Sequence, residues 1–262
     1  MQDRHINRDK YFEEQAITTE KFVIPFISGV RQLMPEHKVL EIGCGEGGNL
    51  KPFLDFGCKV TGVDILESKI NNAQKFFSAH PLKKNLNLIV KDIYDAGDDF
   101  KDGFDIVFMR DVLEHIHNQE KFMSHVKKFL KPDGLFFLGF PPFQYPFGGH
   151  QQMCQSRFLS RMPYFHLLPG PMYPWVLKLF GESKGLVRDL LEIRQTRISI
   201  ERFQRILRKE GYTIRKRDFY FINPNYEVKF GLQPRLQSAM VSGIPWLRNY
   251  FVTTCYYLIS KQ

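Results

Sequence analysis

The chain is short of cysteine and has no long apolar run. Among 262 residues there are four cysteines, Cys44, Cys58, Cys154 and Cys255, and no two form a CxxC pair. None lies near a histidine at metal-ligand spacing, so a disulfide framework and a structural zinc are both unexpected and a reducing compartment suits the chain better. No stretch of about 18 apolar residues is present to span a bilayer. The N-terminus, Met1-Gln2-Asp3-Arg4-His5, is charged where a secretory leader needs an apolar core. Internal repeats and low-complexity tracts are missing as well. These absences predict a soluble, cytoplasmic protein.

What is present is ordinary for a globular chain, with two departures. Hydrophobic residues make up 43% and charged residues 25%, enough for one sizeable core. Aromatics reach 15%, with 25 phenylalanines, and the net charge is +9 with a pI of about 9.3.

The stretch KVLEIGCGEGGN, residues 38–49, sets the organisation. Val39, Leu40 and Ile42 read as a short buried strand, glycines follow at 43, 45, 47 and 48, and a helical pattern starts near Asn49. Strand, glycine turn and helix make a βα unit whose backbone can approach a ligand closely. Further strands are expected over 59–64, 86–92, 104–109 and 135–140, with a helix over 68–80 and an apolar helix face at Phe122, Val126, Phe129 and Leu130. Alternating strands and helices imply a parallel sheet covered on both faces. A helix over 199–211 and strands over 213–223 and 250–260 complete the pattern.

Two segments break it. Residues 141–195 hold seven of the 15 prolines and nine aromatics without strand alternation, which predicts a cap or binding loop. Residues 224–248 form a smaller insertion. The whole of 1–262 is read as a single domain carrying these two insertions.

Three acids attend the glycine turn. Glu41 stands two residues before Gly43, where a dinucleotide-binding strand usually has an apolar residue. Asp64 ends the second strand, 21 residues after Gly43, and Asp92 ends the third with apolar Ile93 behind it. Carboxylates at the carboxyl ends of successive strands converge on the crevice where open α/β sheets bind ligands.

On these residues the chain resembles the class I S-adenosylmethionine-dependent methyltransferases. LEIGCGEGGN is similar to the family's first motif, GVD to its second, KDI to its third, FDIVFMRDVLEHI to the strand-four motif and LKPDGLFFLGFPP to the strand-five region. The likeness is strong over residues 39–140 and one of pattern only from Ser199 onward. It implies a Rossmann-like α/β fold: seven strands, mostly parallel with an antiparallel last strand, and helices on both faces. It also implies S-adenosylmethionine as cofactor, with S-adenosylhomocysteine as product. Gly43, Gly45 and Gly47 would line the loop under its methionine part, and Glu41 would act through water on its amino group. Asp64, followed by Ile65, would bind the ribose, Asp92 and Ile93 would hold the adenine, and Arg110 would lie near the cofactor. Tyr11 or Phe12 would close over it.

The expected reaction is methyl transfer to a small-molecule acceptor, at oxygen. A hydroxyl acceptor needs something to take its proton, and His150, in the loop leaving the fifth strand, is the leading candidate; Gly148 and Gly149 would bend that backbone toward a ligand. His166, Tyr145 and Tyr164 rank below it, and Glu114-His115 reads chiefly as a pocket-shaping pair. No metal ligands are assigned. An RNA methyltransferase and a non-catalytic cofactor-binding protein stay open as alternatives. Basic residues are scattered, densest at Arg205, Arg208, Lys209 and Arg215–Arg217, which leaves nucleic acid open but does not favour it. The run Met172–Phe180 reads foremost as a helix lidding the active site, with ordinary core packing and contact with a membrane surface as the other readings.

Overall fold

A computed structural model describes residues 7–262. Eight strands form one sheet: β1 (Lys38–Ile42), β2 (Lys59–Asp64), β3 (Leu86–Val90), β4 (Phe104–Arg110), β5 (Leu130–Phe140), β6 (Tyr212–Ile222), β7 (Arg235–Leu236) and β8 (Thr254–Lys261). Their order is β3-β2-β1-β4-β5-β8-β6-β7. Neighbours from β3 to β5 pair in parallel, β8 runs antiparallel between β5 and β6, and β7 pairs antiparallel with the outer edge of β6.

The expected seven strands are therefore eight. The extra one is two exposed residues inside the 224–248 insertion, too short for any alternation to show. β3 ends at Val90, so Lys91 and Asp92 belong to the loop beyond it. β5 begins five residues before Leu135, because Pro132-Asp133-Gly134 shifts its register against β4 and does not end the strand.

The sheet is sandwiched. Along β4 and β5, Val107, Met109, Phe136, Leu138 and Phe140 face one core, and Ile106, Phe108, Leu135 and Phe137 face the other. This is the period-two alternation of a strand buried on both sides. Helices α1 (Arg8–Thr18), α2 (Ile24–Ser28), α3 (Lys51–Asp55) and α4 (Glu67–Phe76) cover the second core through Phe12, Phe26, Phe53 and Ile70. Helix α5 (Gln119–Val126) closes the first through Phe122, Met123 and Val126.

The cap segment carries α6 (Met172–Leu179) and α7 (Lys184–Thr196), then leads into α8 (Ile200–Lys209), whose Phe203, Ile206 and Leu207 join the first core. The cap has a small core of its own, built from Leu159, Phe165, Tyr173, Leu177, Val187 and Leu190. Tyr173 and Leu177 point into it, so α6 packs against this segment's own core, while α7 lines a cavity with His115 and His150 through Asp189, Glu192 and Ile193. No helix of the described residues is long and apolar enough to cross a membrane.

Candidate active site

The order β2-β1-β4-β5 places the chain reversal between β1 and β4, and a cleft opens beyond their carboxyl ends. Gly43 and Cys44 donate to Val63 O at 2.8 and 3.1 Å, tying the glycine turn to β2. Gly45 has a left-handed φ of +53° and its absent side chain would face open space, so the turn presents bare backbone there. Its N–H donates to Asp64 Oδ2 at 2.8 Å, and Leu66 N–H donates to Asp64 Oδ1 at 2.9 Å. Each carboxylate oxygen keeps a second lone pair for a ligand. Asp92 accepts from Tyr94 N–H at 2.9 Å and caps the short turn that holds Ile93.

Gly43, Asp64, Ile65, Asp92 and Ile93 all line one cavity of about 370 Å³. Gly45, Gly47, Glu41 and Arg110 are outside that lining, and a methyl group at Gly47 would meet Phe77 Cε2 at 2.8 Å. Glu41 lies wholly buried beneath the turn, its Oε1 accepting from Asn49 Nδ2 at 2.8 Å and its Oε2 without a partner. Burial foremost pushes its carboxyl up to about 8, with Asp64 adding to the rise; the Asn49 hydrogen bond and Arg110 oppose it. Arg110 is buried with one unpartnered guanidinium nitrogen, its Nε 3.6 Å from Asp111.

Helix α1 presses on Gly48, where a methyl group would meet Phe12 O at 2.5 Å and Gln15 Cβ at 2.8 Å. Phe12 itself belongs to the core, stacked on Phe76 at 4.4 Å. The Tyr11 hydroxyl accepts from Gln15 Nε2 at 3.2 Å. Burial raises this hydroxyl's pKa most, and the charges of Asp111, Arg110, Glu46 and Glu41 all reach it.

Sequence reasoning overlooked part of the cleft wall: Lys91, Tyr94, Val112, Ile116 and Phe122 complete it. Val112 explains the first glycine, since a methyl at Gly43 would lie 2.7 Å from Val112 Cγ2. Asn49, the last letter of the glycine motif, clamps Glu41, a role that the sequence reading did not assign it.

A second cavity, of about 210 Å³, is lined by His115, His150, Met153 and α7 residues Asp189, Glu192 and Ile193. His115 borders both cavities. It sits on a 3-10 turn, Leu113–His115, that leaves β4 after Asp111, a residue in the left-handed region at φ +56°. Thr196 Oγ1 donates to Glu114 O at 2.5 Å, fastening α7 to that turn. The His115 and His150 rings are 5.1 Å apart, edge to face. Burial foremost lowers both pKa values, His150 to about 4, so both rings are neutral at physiological pH.

The weaker histidine and tyrosine candidates are occupied elsewhere. His166 is fully buried, its Nε2–H donating to Phe143 O at 2.7 Å and its Nδ1 facing the Gln151 amide at 3.2 Å. Tyr164 donates to Tyr250 O at 3.0 Å, and buried Tyr145 accepts from Gln152 at 3.4 Å. At Gly148 and Gly149 a side chain would collide with Phe143 O and with the His166 side chain, so the close packing there requires glycine.

A family model of the methyltransferase domain matches residues 18–161. The chain belongs to the class I S-adenosylmethionine-dependent methyltransferases. Among curated relatives, the ubiquinone biosynthesis O-methyltransferase of Bartonella tribocorum is 32% identical over 126 residues, 47% of this chain and 49% of that protein. The mitochondrial protein of the same name from Homo sapiens is 28% identical over 145 residues, 49% of this chain and 39% of that one. This methyltransferase chain thus spans half or less of the length of these relatives. The magnesium protoporphyrin IX methyltransferase of Synechocystis, solved with bound S-adenosylhomocysteine, superposes with a TM-score of 0.56 at 16% identity. That likeness covers 100% of this chain and 89% of the other, and it shows a shared fold.

Proposed function

We propose that this protein transfers the methyl group of S-adenosylmethionine to a hydroxyl oxygen of a small, largely apolar molecule. The observation that carries the reading is His115, which borders both cavities, so that an acceptor between His115 and His150 meets the cofactor cleft there. The oxygen acceptor is further supported by relatives named as O-methyltransferases.

The residues present suit the cofactor. Glu41 offers a buried, unpartnered carboxyl oxygen below the turn, Gly45 offers bare backbone, and Ile65 and Ile93 offer apolar walls. In this reading Gly43, Gly45 and Gly47 bed the methionine part, and Glu41 and Arg110 act from beneath on its charged end. Asp64 takes the ribose, and Asp92 with Ile93 takes the adenine. Bound there, the cofactor supplies a methyl group already activated by its sulfonium, so the protein's share is alignment. The cofactor would supply the methyl carbon, its bond to sulfur giving way as the acceptor oxygen takes the methyl group. His150 faces the hydroxyl and draws its proton away from the oxygen, and α7 shields the reacting atoms from water.

Residues 141–195 act here as a cap and 224–248 as a smaller insertion on a single methyltransferase unit. The outer face of the cap supports a route for apolar acceptors. Trp175 is 61% and Leu179 65% exposed, and Phe158 stacks on Phe180 at 5.6 Å. Arg157, Arg161, Lys178, Lys184 and Arg188 are exposed on the same segment. Apolar side chains among basic ones suit an anionic membrane surface. The basic residues elsewhere are partly committed within the chain, Lys209 to Glu120, Lys216 to the Phe26 ring and Arg217 to the Phe219 ring. That gives an RNA groove no support.

Calorimetry with S-adenosylmethionine, followed by methyl-release assays on phenols, alcohols, amines and total RNA, tests the reading. Saturable cofactor binding and turnover of hydroxyl acceptors are expected, with His150→Ala slower by about 100-fold or more. Methylation of RNA or amines alone, or an unimpaired His150→Ala enzyme, would sink it.

A further inference from the structure

One nitrogen of His115, one nitrogen of His150 and one carboxylate oxygen of Glu114 lie within 4.8 Å of one another. We propose that these three side chains bind a divalent transition-metal ion that holds and acidifies the acceptor hydroxyl. The proposal rests on the hydroxyl-methylation reading, refines what His150 does, and supplies a metal site where the sequence suggested none.

Charge is the first argument. Glu114 is buried and its Oε2 has no hydrogen-bond partner. Among the described residues no lysine or arginine forms an ion pair with it, and the neighbouring guanidinium, Arg110, faces Asp111 at 3.6 Å. Ionising a buried carboxyl group without a counter-ion is costly. A dication beside it, with two imidazole nitrogens as further donors, would offset that cost.

Geometry is the second. For three atoms this close, the central point lies no farther than about 2.8 Å from each, against metal–nitrogen and metal–oxygen bonds of about 2.0–2.2 Å. Side-chain rotations of under about an ångström close the gap. Two of the ligands share the turn that Thr196 fastens to α7, and Gln119 Nε2 also donates to Leu113 O in that turn at 3.3 Å. The third ligand comes from the loop after β5, so the ion would join β4 and β5 at their carboxyl ends.

Two imidazoles and one carboxylate leave coordination positions for solvent or a ligand, and the cavity beside His115 and His150 is where they face. That donor set favours manganese, iron, cobalt or zinc over magnesium or calcium. With the acceptor hydroxyl at the ion, its O–H bond breaks, the electron pair stays on oxygen, and the proton passes to water at the mouth lined by Asp189 and Glu192.

Cobalt(II) titration of the chelator-stripped, full-length protein tests this, read by visible absorbance and by calorimetry. One ion per chain is expected, with Glu114→Gln and His150→Asn each binding at least about 100-fold more weakly. Asparagine is chosen because it accepts the left-handed backbone at His150, φ +55°; circular dichroism confirms that each variant folds. S-adenosylmethionine affinity of His150→Asn should stay within about twofold of the wild type. No saturable cobalt binding, or equal binding by wild type and both variants, overturns the metal site while leaving methyl transfer intact. Tight 1:1 cobalt binding lost in both variants, with no hydroxyl methylated, upholds the metal site and overturns the methylation reading instead.

Discussion

At Glu41 a buried carboxyl group has one hydrogen bond, from Asn49, and one oxygen left over. Burial foremost holds its pKa near 8, so at pH 7 it carries a proton that an incoming cation must displace. The sign follows: affinity for S-adenosylmethionine should rise with pH up to about 8 and then level off. Calorimetry from pH 6.5 to 8.5 should show that rise in the wild type, and Glu41→Gln should flatten it; parallel profiles would disprove the contact. At this scale the sequence was readable where a residue type is forced. Gly43 and Asp64 stand where expected because a left-handed turn and a strand end admit few alternatives. Arg110 is buried outside the cleft wall, because side-chain direction at a strand end depends on what packs around it.

Among the elements, α7 is tied by a hydrogen bond to the turn that carries His115. Its last residue, Thr196, donates to Glu114 O at 2.5 Å and is also close to Ile193 O at 2.7 Å, so the hydroxyl couples the cap to the turn carrying His115. Thr196→Val keeps the shape and removes the donor. It should lower stability by about 1 kcal/mol in denaturant titration, and it should reduce kcat at least tenfold with cofactor affinity nearly unchanged. Equal losses in kcat and cofactor affinity would show that the contact only stabilises the fold. The strands and helices of residues 38–140 were legible because hydrophobic period and glycine placement are local. The expected lid, Met172–Phe180, formed a helix as its apolar run suggests, yet which surface that run covers was settled by the cap's own core at Tyr173 and Leu177.

For the molecule as a whole, the cap leaves a basic and aromatic face outward. Flotation with anionic vesicles should carry the wild type upward and leave the double variant Trp175→Glu, Leu179→Glu largely at the bottom, with soluble acceptors still methylated by both. Salt should weaken the binding, since the lysine and arginine share of the attraction is screened. Wild-type protein that stays down at low salt would remove the membrane route.

The α/β class, the parallel strands and the glycine turn with its acids followed from the amino-acid order alone, since backbone periodicity, left-handed φ and strand ends are properties of neighbours in the chain. The eighth strand, the burial of Glu41 and Arg110, and the meeting of Glu114 and His115 with His150, 35 residues farther on, followed only from folding. Those features depend on which surfaces exclude water together, and no local pattern records that.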